Sequence, residues 1–326
     1  MPATRVGPAV LTACLLAAAP AFADQPSIAE QTVNAMNAVW GKHAGMRANH
    51  AKGIVVEGTF TASKQAASLS KAEMFNGATI PVTARFSNST GIPNIPDGNP
   101  NASPHGFSIR FHQKAGDVDF VENSLKFFPF HTIEEFHDFL LAVAQTGPTA
   151  AKPTKVDQFL AAHPAAPKAF ASVAPPSSYS RETYNGVNAF ILINAAGKRQ
   201  AVRFQEVPYD GTQHLSAAAA AQQSPNYLED ELPQRLAKGP IKFHLIAQLA
   251  GPTDDIKDGT IPWPADRQRV DLGTITITQV DPNSDATQKT LLFLPGDLTD
   301  GIEPSDDPLI DARNQAYAVS FGRRSQ

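Results

Sequence analysis

Runs that alternate apolar and polar residues recur from residue 53 to residue 280, and this period of two restricts the fold more than any other feature. They cover 53–62, 80–87, 106–112, 118–121, 188–194, 201–207, 241–250 and 270–280, and a short final strand is expected at 290–294. Ala195-Ala196-Gly197-Lys198 reads as the turn of a hairpin between two of them. Helical spacing appears elsewhere. Ile28, Val33, Met36, Val39 and Trp40 share a face behind Ser27 as N-cap, and 132–145 starts at Thr132 with Glu135 expected to complete a capping box. Residues 63–75 read as a short helix or helical loop, and 157–173 as a helix broken near Pro164 and Pro167. Two more helices are expected at 215–222 and 225–238, the second ending at Gly239, and a short one in the tail. Strands joined by hairpins and loops, with helices inserted between them, predict an α+β fold: one antiparallel sheet or barrel with helices around it. No repeat, long linker or shift of composition divides the chain, so one domain is expected.

The first 23 residues stand apart. Arg5 is the only charge before Asp24, 9–19 is largely apolar, and Ala21-Phe22-Ala23 is a small-x-small cleavage pattern. This reads as a secretory signal peptide cut after Ala23, with residues 24–326 as the folded domain and the periplasm as its destination. The run is too short for a stable membrane span. Leu11-Thr12-Ala13-Cys14 resembles a lipoprotein box, but the apolar run before Cys14 is short and continues past it. Cys14 is the only cysteine, so the processed chain has no thiol to oxidise and no disulfide. A net charge of −4 without a basic block argues against a nucleic-acid partner.

Several polar groups lie around these runs, and taken singly each is ordinary. His50 is one of nine histidines, and none of them has the spacing of a metal-binding helix. Ser87 has no Gly-x-Ser-x-Gly context, and Gly251-Pro252-Thr253 is not followed by a phosphate-binding Gly-Lys-Ser. Their order is more specific. Arg47-Ala48-Asn49-His50-Ala51-Lys52-Gly53 is followed by Arg85-Phe86-Ser87, by Pro104-His105-Gly106-Phe107-Ser108-Ile109-Arg110-Phe111, and by Asp119 to Phe128 with Asn123 inside it. Ile261-Pro262-Trp263-Pro264, Arg313-x-x-x-Tyr317 and Arg324 come later. Taken in order, these resemble the motifs of the haem-catalase family, in particular its small single-domain catalase-related peroxidases. The resemblance runs from about Arg47 to Arg324. Among the departures, Asn49 stands where the larger members carry a small apolar residue against the haem.

The resemblance implies a catalase-like antiparallel barrel without a C-terminal flavodoxin-like domain, and a haem b cofactor; no Cys-x-x-Cys-His is present for covalent attachment. It implies that His50 is the distal acid–base, that Asn123 positions peroxide and that Ser87 orients His50. Tyr317 is implied as the iron ligand, helped by Arg313 one helical turn away. Arg47, Arg85 and Arg324 suit the propionates, because a guanidinium pairs bidentately with a carboxylate. Phe107, Phe128 and Phe136 are expected to wall the pocket, whereas Phe127 and Phe130 read as ordinary core. The activity implied is reduction of hydrogen peroxide or an organic peroxide by a small organic donor, with some catalase turnover, in a monomer or dimer. A haem or apolar-ligand carrier on the same barrel is the alternative, as is a related lipid-hydroperoxide-rearranging enzyme.

Overall fold

The alternating runs close on themselves. The computed structural model describes residues 25–325 together with Met1 and Ala3, so the expected signal peptide lies outside the described residues. The strands are β1 (Gly53–Ala62), β2 (Thr79–Ser87), β3 (Gly106–Phe111), β4 (Val118–Asn123), β5 (Tyr184–Asn185), β6 (Phe190–Ile193), β7 (Arg199–Pro208), β8 (Ile241–Leu249), β9 (Arg269–Val280) and β10 (Ile302–Pro304). They pair in the order β7-β5-β4-β3-β2-β1-β9-β8, and β8 pairs back onto β7. All of these pairings are antiparallel, so the result is a closed eight-stranded antiparallel barrel without free edges. β6 and β10 extend the sheet outside the ring, beside β7. Register shifts at Glu57/Gly58 and at Leu245/Ile246 mark irregularities that help long strands bend around a closed sheet.

Strict alternation divides the strands into an inner and an outer set. Val82, Ala84 and Phe86 of β2, Phe107, Ile109 and Phe111 of β3, and Val118 and Phe120 of β4 belong to one buried cluster inside the ring. Phe86 stacks on Phe107 at 4.3 Å and on Tyr179 at 5.2 Å, and Phe120 stacks on Phe204 at 4.2 Å. Each such pair adds about 0.5–1.5 kcal/mol beyond its buried area. The barrel is therefore a filled core, not a pore, and a large ligand must sit outside it.

Helices build that outside site. The helix Ile28–Trp40 starts at Ser27, whose hydroxyl accepts from Glu30 N while Glu30 accepts from Ser27 N, a full capping box. Val33 and Met36 pack with Leu140 of the helix Ile133–Ala144 and Ala316 of the helix Pro308–Arg324 in a second apolar cluster. Thr132 caps the middle helix as expected, but Glu135 instead accepts from His131 N at 2.8 Å, so the box is not reciprocal there. The C-terminal helix is 17 residues long rather than short. The region 157–173 forms Lys155–Ala162 and Ala165–Phe170, with the break at Pro164. Residues 290–294 are not a strand: the helix Ser284–Thr290 ends there, and the last strand is β10. Among the described residues, no helix is long and apolar enough to cross a membrane.

Candidate active site

A cavity of about 700 Å³ lies between the outer faces of β2, β3 and β4 and the helix layer. Arg85, Ser87, Gly106, Ser108, Val121 and Asn123 supply the strand wall, in step with their outward parity. Val33, Met36, Trp40, Phe136, Leu140 and Tyr317 supply the helical wall. Its size and apolar lining with a few convergent polar groups suit a large cofactor. Phe128 and Phe136 stand in the wall as expected, and the expected core residue Phe130 joins them. Phe107 does not. It points into the barrel against Phe86, and its neighbours Gly106 and Ser108 face the cavity instead.

Two left-handed residues meet at the site, His50 at φ 55° on the loop before β1 and Thr90 at φ 78° on the loop after β2. For a β-branched residue this conformation costs about 1–3 kcal/mol, and strain of this kind gathers at working sites. Asn49 holds both residues: its Oδ1 accepts from His50 N at 2.9 Å and from Thr90 N at 2.8 Å. A side chain that departs from the family pattern therefore acts here as a backbone clamp. Within the ring, His50 Nδ1 faces Ser87 Oγ at 3.1 Å, a contact that engages this nitrogen and holds the ring's orientation at the cavity wall. Burial, with Arg85, Arg47 and Arg313 nearby, pushes the His50 pKa down to about 3. The imidazole is thus neutral at ordinary pH and able to accept a proton.

Gly106 makes this pairing possible, and the motif reading gave it no role. A Cβ at that position would lie 2.6 Å from Ser87 Oγ and 3.2 Å from His50 Nδ1. Gly106→Ala is expected to rotate the ring and slow peroxide consumption roughly 10–100-fold with the fold intact. An alanine variant with unchanged kinetics and circular dichroism would show that the Ser87 contact does not set the ring. Asn123 ends β4, and its Oδ1 accepts from Leu125 N at 2.8 Å. That bond assigns the amide's orientation and leaves its NH₂ group as a donor to the cavity.

The opposite side is built on the C-terminal helix. Asp307 caps it by accepting from Leu309 N at 2.9 Å, and also accepts from Asn188 Nδ2 at 2.8 Å. Asn188 Oδ1 accepts in turn from Arg313 Nη1, and Arg313 Nη2 donates to Val121 O at 2.7 Å. With its guanidinium held this way, Arg313 Nε donates to Tyr317 Oη at 3.1 Å. A donor aimed at the phenolic oxygen holds that atom in place at the cavity wall, and a tyrosine oxygen is a known ligand of haem iron.

Three further guanidiniums converge on residues 288–291. Arg85 donates to Gln288 Oε1 at 3.1 Å and to Ala51 O at 3.1 Å, while Arg47 donates to Leu291 O at 2.9 Å. Arg324 also donates to Leu291 O. None of the three forms an ion pair with a carboxylate among the described residues, and burial pushes Arg85 and Arg324 down to about 10. Buried cations without counter-charge are costly, so this cluster calls for an anionic ligand. A planar macrocycle with two carboxylates fits the donor set: apolar walls, three arginines without a carboxylate partner at one end, a tyrosine oxygen on one side, and a neutral histidine with an amide on the other. Gln288, Leu291 O and Ser320, whose hydroxyl accepts from Ala48 N at 3.1 Å, were not legible as site residues in the sequence.

A family model described as Catalase matches residues 31–324. The chain belongs to the catalase family. Within it, the chain is 35% identical to a catalase-related peroxidase of Synechococcus elongatus over 98% of this chain and 95% of that one. It is 36% identical to a catalase-related peroxidase of Mycolicibacterium paratuberculosis, covering 91% and 94%. A catalase of Pseudomonas syringae is 30% identical, and the match covers 83% of this chain but only 56% of the relative. A solved bacterial catalase shares the fold at a TM-score of 0.77 and 21% identity, over 95% of this chain and 64% of that structure. This catalase-family chain is accordingly a peroxidase or catalase-type oxidoreductase, and the family implies haem as its cofactor.

One further pair lies beside the cavity. Glu122 and Glu206 are buried without a basic partner. Burial raises both pKa values, Glu122 to about 7 and Glu206 well above its ordinary value. An acid whose folded pKa is raised costs nothing below its unfolded value near 4.5 and destabilises the fold as pH rises from there through about 7. Glu122→Gln is therefore expected to change thermal stability little at pH 4 and to raise it at pH 8. A melting-temperature gain of equal size at both pH values would exclude this explanation.

Proposed function

We propose that this chain is a haem b peroxidase that reduces hydrogen peroxide or an organic peroxide with electrons from a small organic donor, with some catalase turnover. The observation that carries the reading is the pairing of neutral His50, held at Nδ1 by Ser87, with Asn123, whose amide hydrogens are free, across one cavity from the Arg313–Tyr317 pair. The haem would supply a ferric centre that accepts peroxide oxygen and takes up electrons. Tyr317 would hold it from one side as phenolate. Arg47, Arg85 and Arg324 would hold its propionates, and Phe128 and Phe136 would pack against its faces.

On the open side, His50 Nε2 would take the proton from one peroxide oxygen and return it to the other, the transfer that a heterolytic break of the O–O bond requires. Asn123 donates to the peroxide and orients it without adding charge. Ser87 engages Nδ1, so Nε2 is the ring nitrogen that serves the peroxide. A carrier has no use for this acid–base pair, which favours turnover over storage. The leader 1–23 would deliver the domain to the periplasm, where a chain without cysteine suits exposure to peroxide.

The test is to add haem to the purified processed chain, record its visible spectrum, then add hydrogen peroxide with and without a phenolic donor. A high-spin ferric spectrum that peroxide converts to an oxidised form, and that the donor restores, is the expected result. Bleaching without donor-dependent recovery would favour the carrier, and no uptake of haem would remove the cofactor reading itself.

A further inference from the structure

We propose that the ion pair Arg110–Asp119 is a positioning device for the cofactor's carboxylates: it pins residues 291–294 against β3 and β4, and through that segment fixes the point where Arg47 and Arg324 meet; the inference rests on the haem reading above. Arg110 and Asp119 stand opposite each other in the register of β3 and β4. Both point outward, because their neighbours Ile109, Phe111, Val118 and Phe120 fill the barrel. They form a fork: Arg110 Nε donates to Asp119 Oδ1 at 2.8 Å, and Nη2 donates to Oδ2 at 2.7 Å. Asp117 lies 3.6 Å from the same guanidinium. The Asp119 side chain is fully buried.

Each half of the fork also grips the backbone of this segment. Arg110 Nη2 donates to Leu292 O at 2.6 Å, and Asp119 Oδ2 accepts from Leu294 N at 2.9 Å. Asp119 N donates to Asp297 O at 3.0 Å, and the Arg110 guanidinium lies 5.6 Å over the Phe293 ring. The segment therefore takes its place from side chains of the strand wall, and not from pairing with a strand. Leu291, Leu292 and Phe293 face the cavity. Leu291 O, one residue from the pinned Leu292 O, accepts from Arg47 at 2.9 Å and from Arg324. These two arginines come from different elements, the loop before β1 and the end of the C-terminal helix, and Leu291 O is the acceptor they share.

Charge sorts the arginines further. Arg110 already has its carboxylate in Asp119, whereas Arg47, Arg85 and Arg324 bond to neutral oxygens. An incoming carboxylate is thereby directed to these three and away from Arg110. Bidentate recognition of a carboxylate demands placement within about 0.5 Å. A shift of Leu291 O would move both guanidiniums that rest on it, so the fork acts on the cofactor through Arg47 and Arg324 without touching it.

Titration with haem and with haem dimethyl ester, which has the same ring and iron but no carboxylates, tests the pair without measuring activity. The unaltered chain is expected to bind haem roughly tenfold or more tightly than the ester. Asp119→Asn keeps an acceptor for Leu294 N and loses the charged fork. It is expected to weaken haem roughly tenfold and the ester less than about threefold, so that the preference for carboxylates collapses. Arg110→Lys, whose single ammonium cannot span Asp119 and Leu292 O, is expected to shift the preference the same way. A folded Asp119→Asn variant that weakens both ligands equally, or neither, would overturn the proposal, because the pair would then brace the fold alone. A chain that takes up neither ring would overturn the haem reading, and this proposal with it. If neither variant folds, hydrogen exchange of the unaltered chain decides. The Leu294 amide is expected to be protected before haem is added. Protection that arises only on loading would mean that the cofactor, and not the pair, sets the segment.

Discussion

Replacing His50 by alanine is expected to leave haem bound and to slow peroxide cleavage by about 10²–10⁴-fold. The two halves of this result come from different parts of the site. Haem retention depends on Tyr317, Arg313 and the arginines at residues 288–291, none of which His50 holds. Cleavage depends on moving one proton between two oxygens, and no other imidazole lines the cavity among the described residues. Because burial and three nearby arginines keep the His50 pKa near 3, the base is already in its active form throughout the neutral range. Wild-type cleavage should therefore be flat from about pH 5 to pH 8, and protonation of His50 should slow it only near pH 3. Stopped-flow mixing of the haem-loaded variant with hydrogen peroxide, followed in the Soret region, measures both effects. Rapid cleavage in His50→Ala would take this histidine out of the mechanism. A wild-type rate that fell steeply between pH 7 and pH 6 would mean that the imidazole is charged far more readily than its surroundings allow.

Much of the architecture could be read from period alone, because a closed antiparallel barrel with a filled interior must alternate along every strand. That is why β1 runs over the expected 53–62 and why the hairpin of β6 and β7 turns at Ala195–Lys198. The failures follow from the same rule. β5 and β10 have two and three residues, too few to show a period. Leu291, Leu292 and Phe293 are apolar because they line the cavity, and Leu291 O is spent on arginines instead of on a neighbouring strand. An apolar run of that length cannot reveal which of two apolar environments it faces. Phe107 was assigned to the pocket from its place in a motif, yet parity puts it on the inner face between outward Gly106 and Ser108, a signal that was present in the sequence. Asn49 and Gly106 act through backbone geometry, which no local pattern of side chains announces.

Tyr317→Phe is the change expected to cost the most on the other side of the cavity. Phenylalanine keeps the ring and loses only the oxygen, so packing against Ala316 and Ile133 in the second apolar cluster is preserved and the fold should persist. What disappears is the ligand atom and the acceptor for Arg313 Nε. Arg313 stays in place through Asn188 and Val121 O, so its charge then faces the cavity with no anionic oxygen beside it. A neutral tyrosine would lose little by this substitution. A tyrosinate bound to ferric iron would lose the bond that anchors the cofactor, and with it a counter-charge for Arg313. Haem affinity is therefore expected to fall roughly a hundredfold or more, and any haem that remains should lose the absorption of phenolate-bound ferric iron. Haem titration and resonance Raman spectroscopy measure the two effects separately. Loss of affinity with an unchanged spectrum would mean that the tyrosine braces the pocket without touching the iron. An unchanged affinity with an unchanged spectrum would require another ligand, and among the described residues His50 is the one imidazole in the cavity wall, on the opposite side. The His50→Ala variant, examined by the same two methods, then separates these cases: a histidine ligand would vanish there, whereas a tyrosinate ligand would persist.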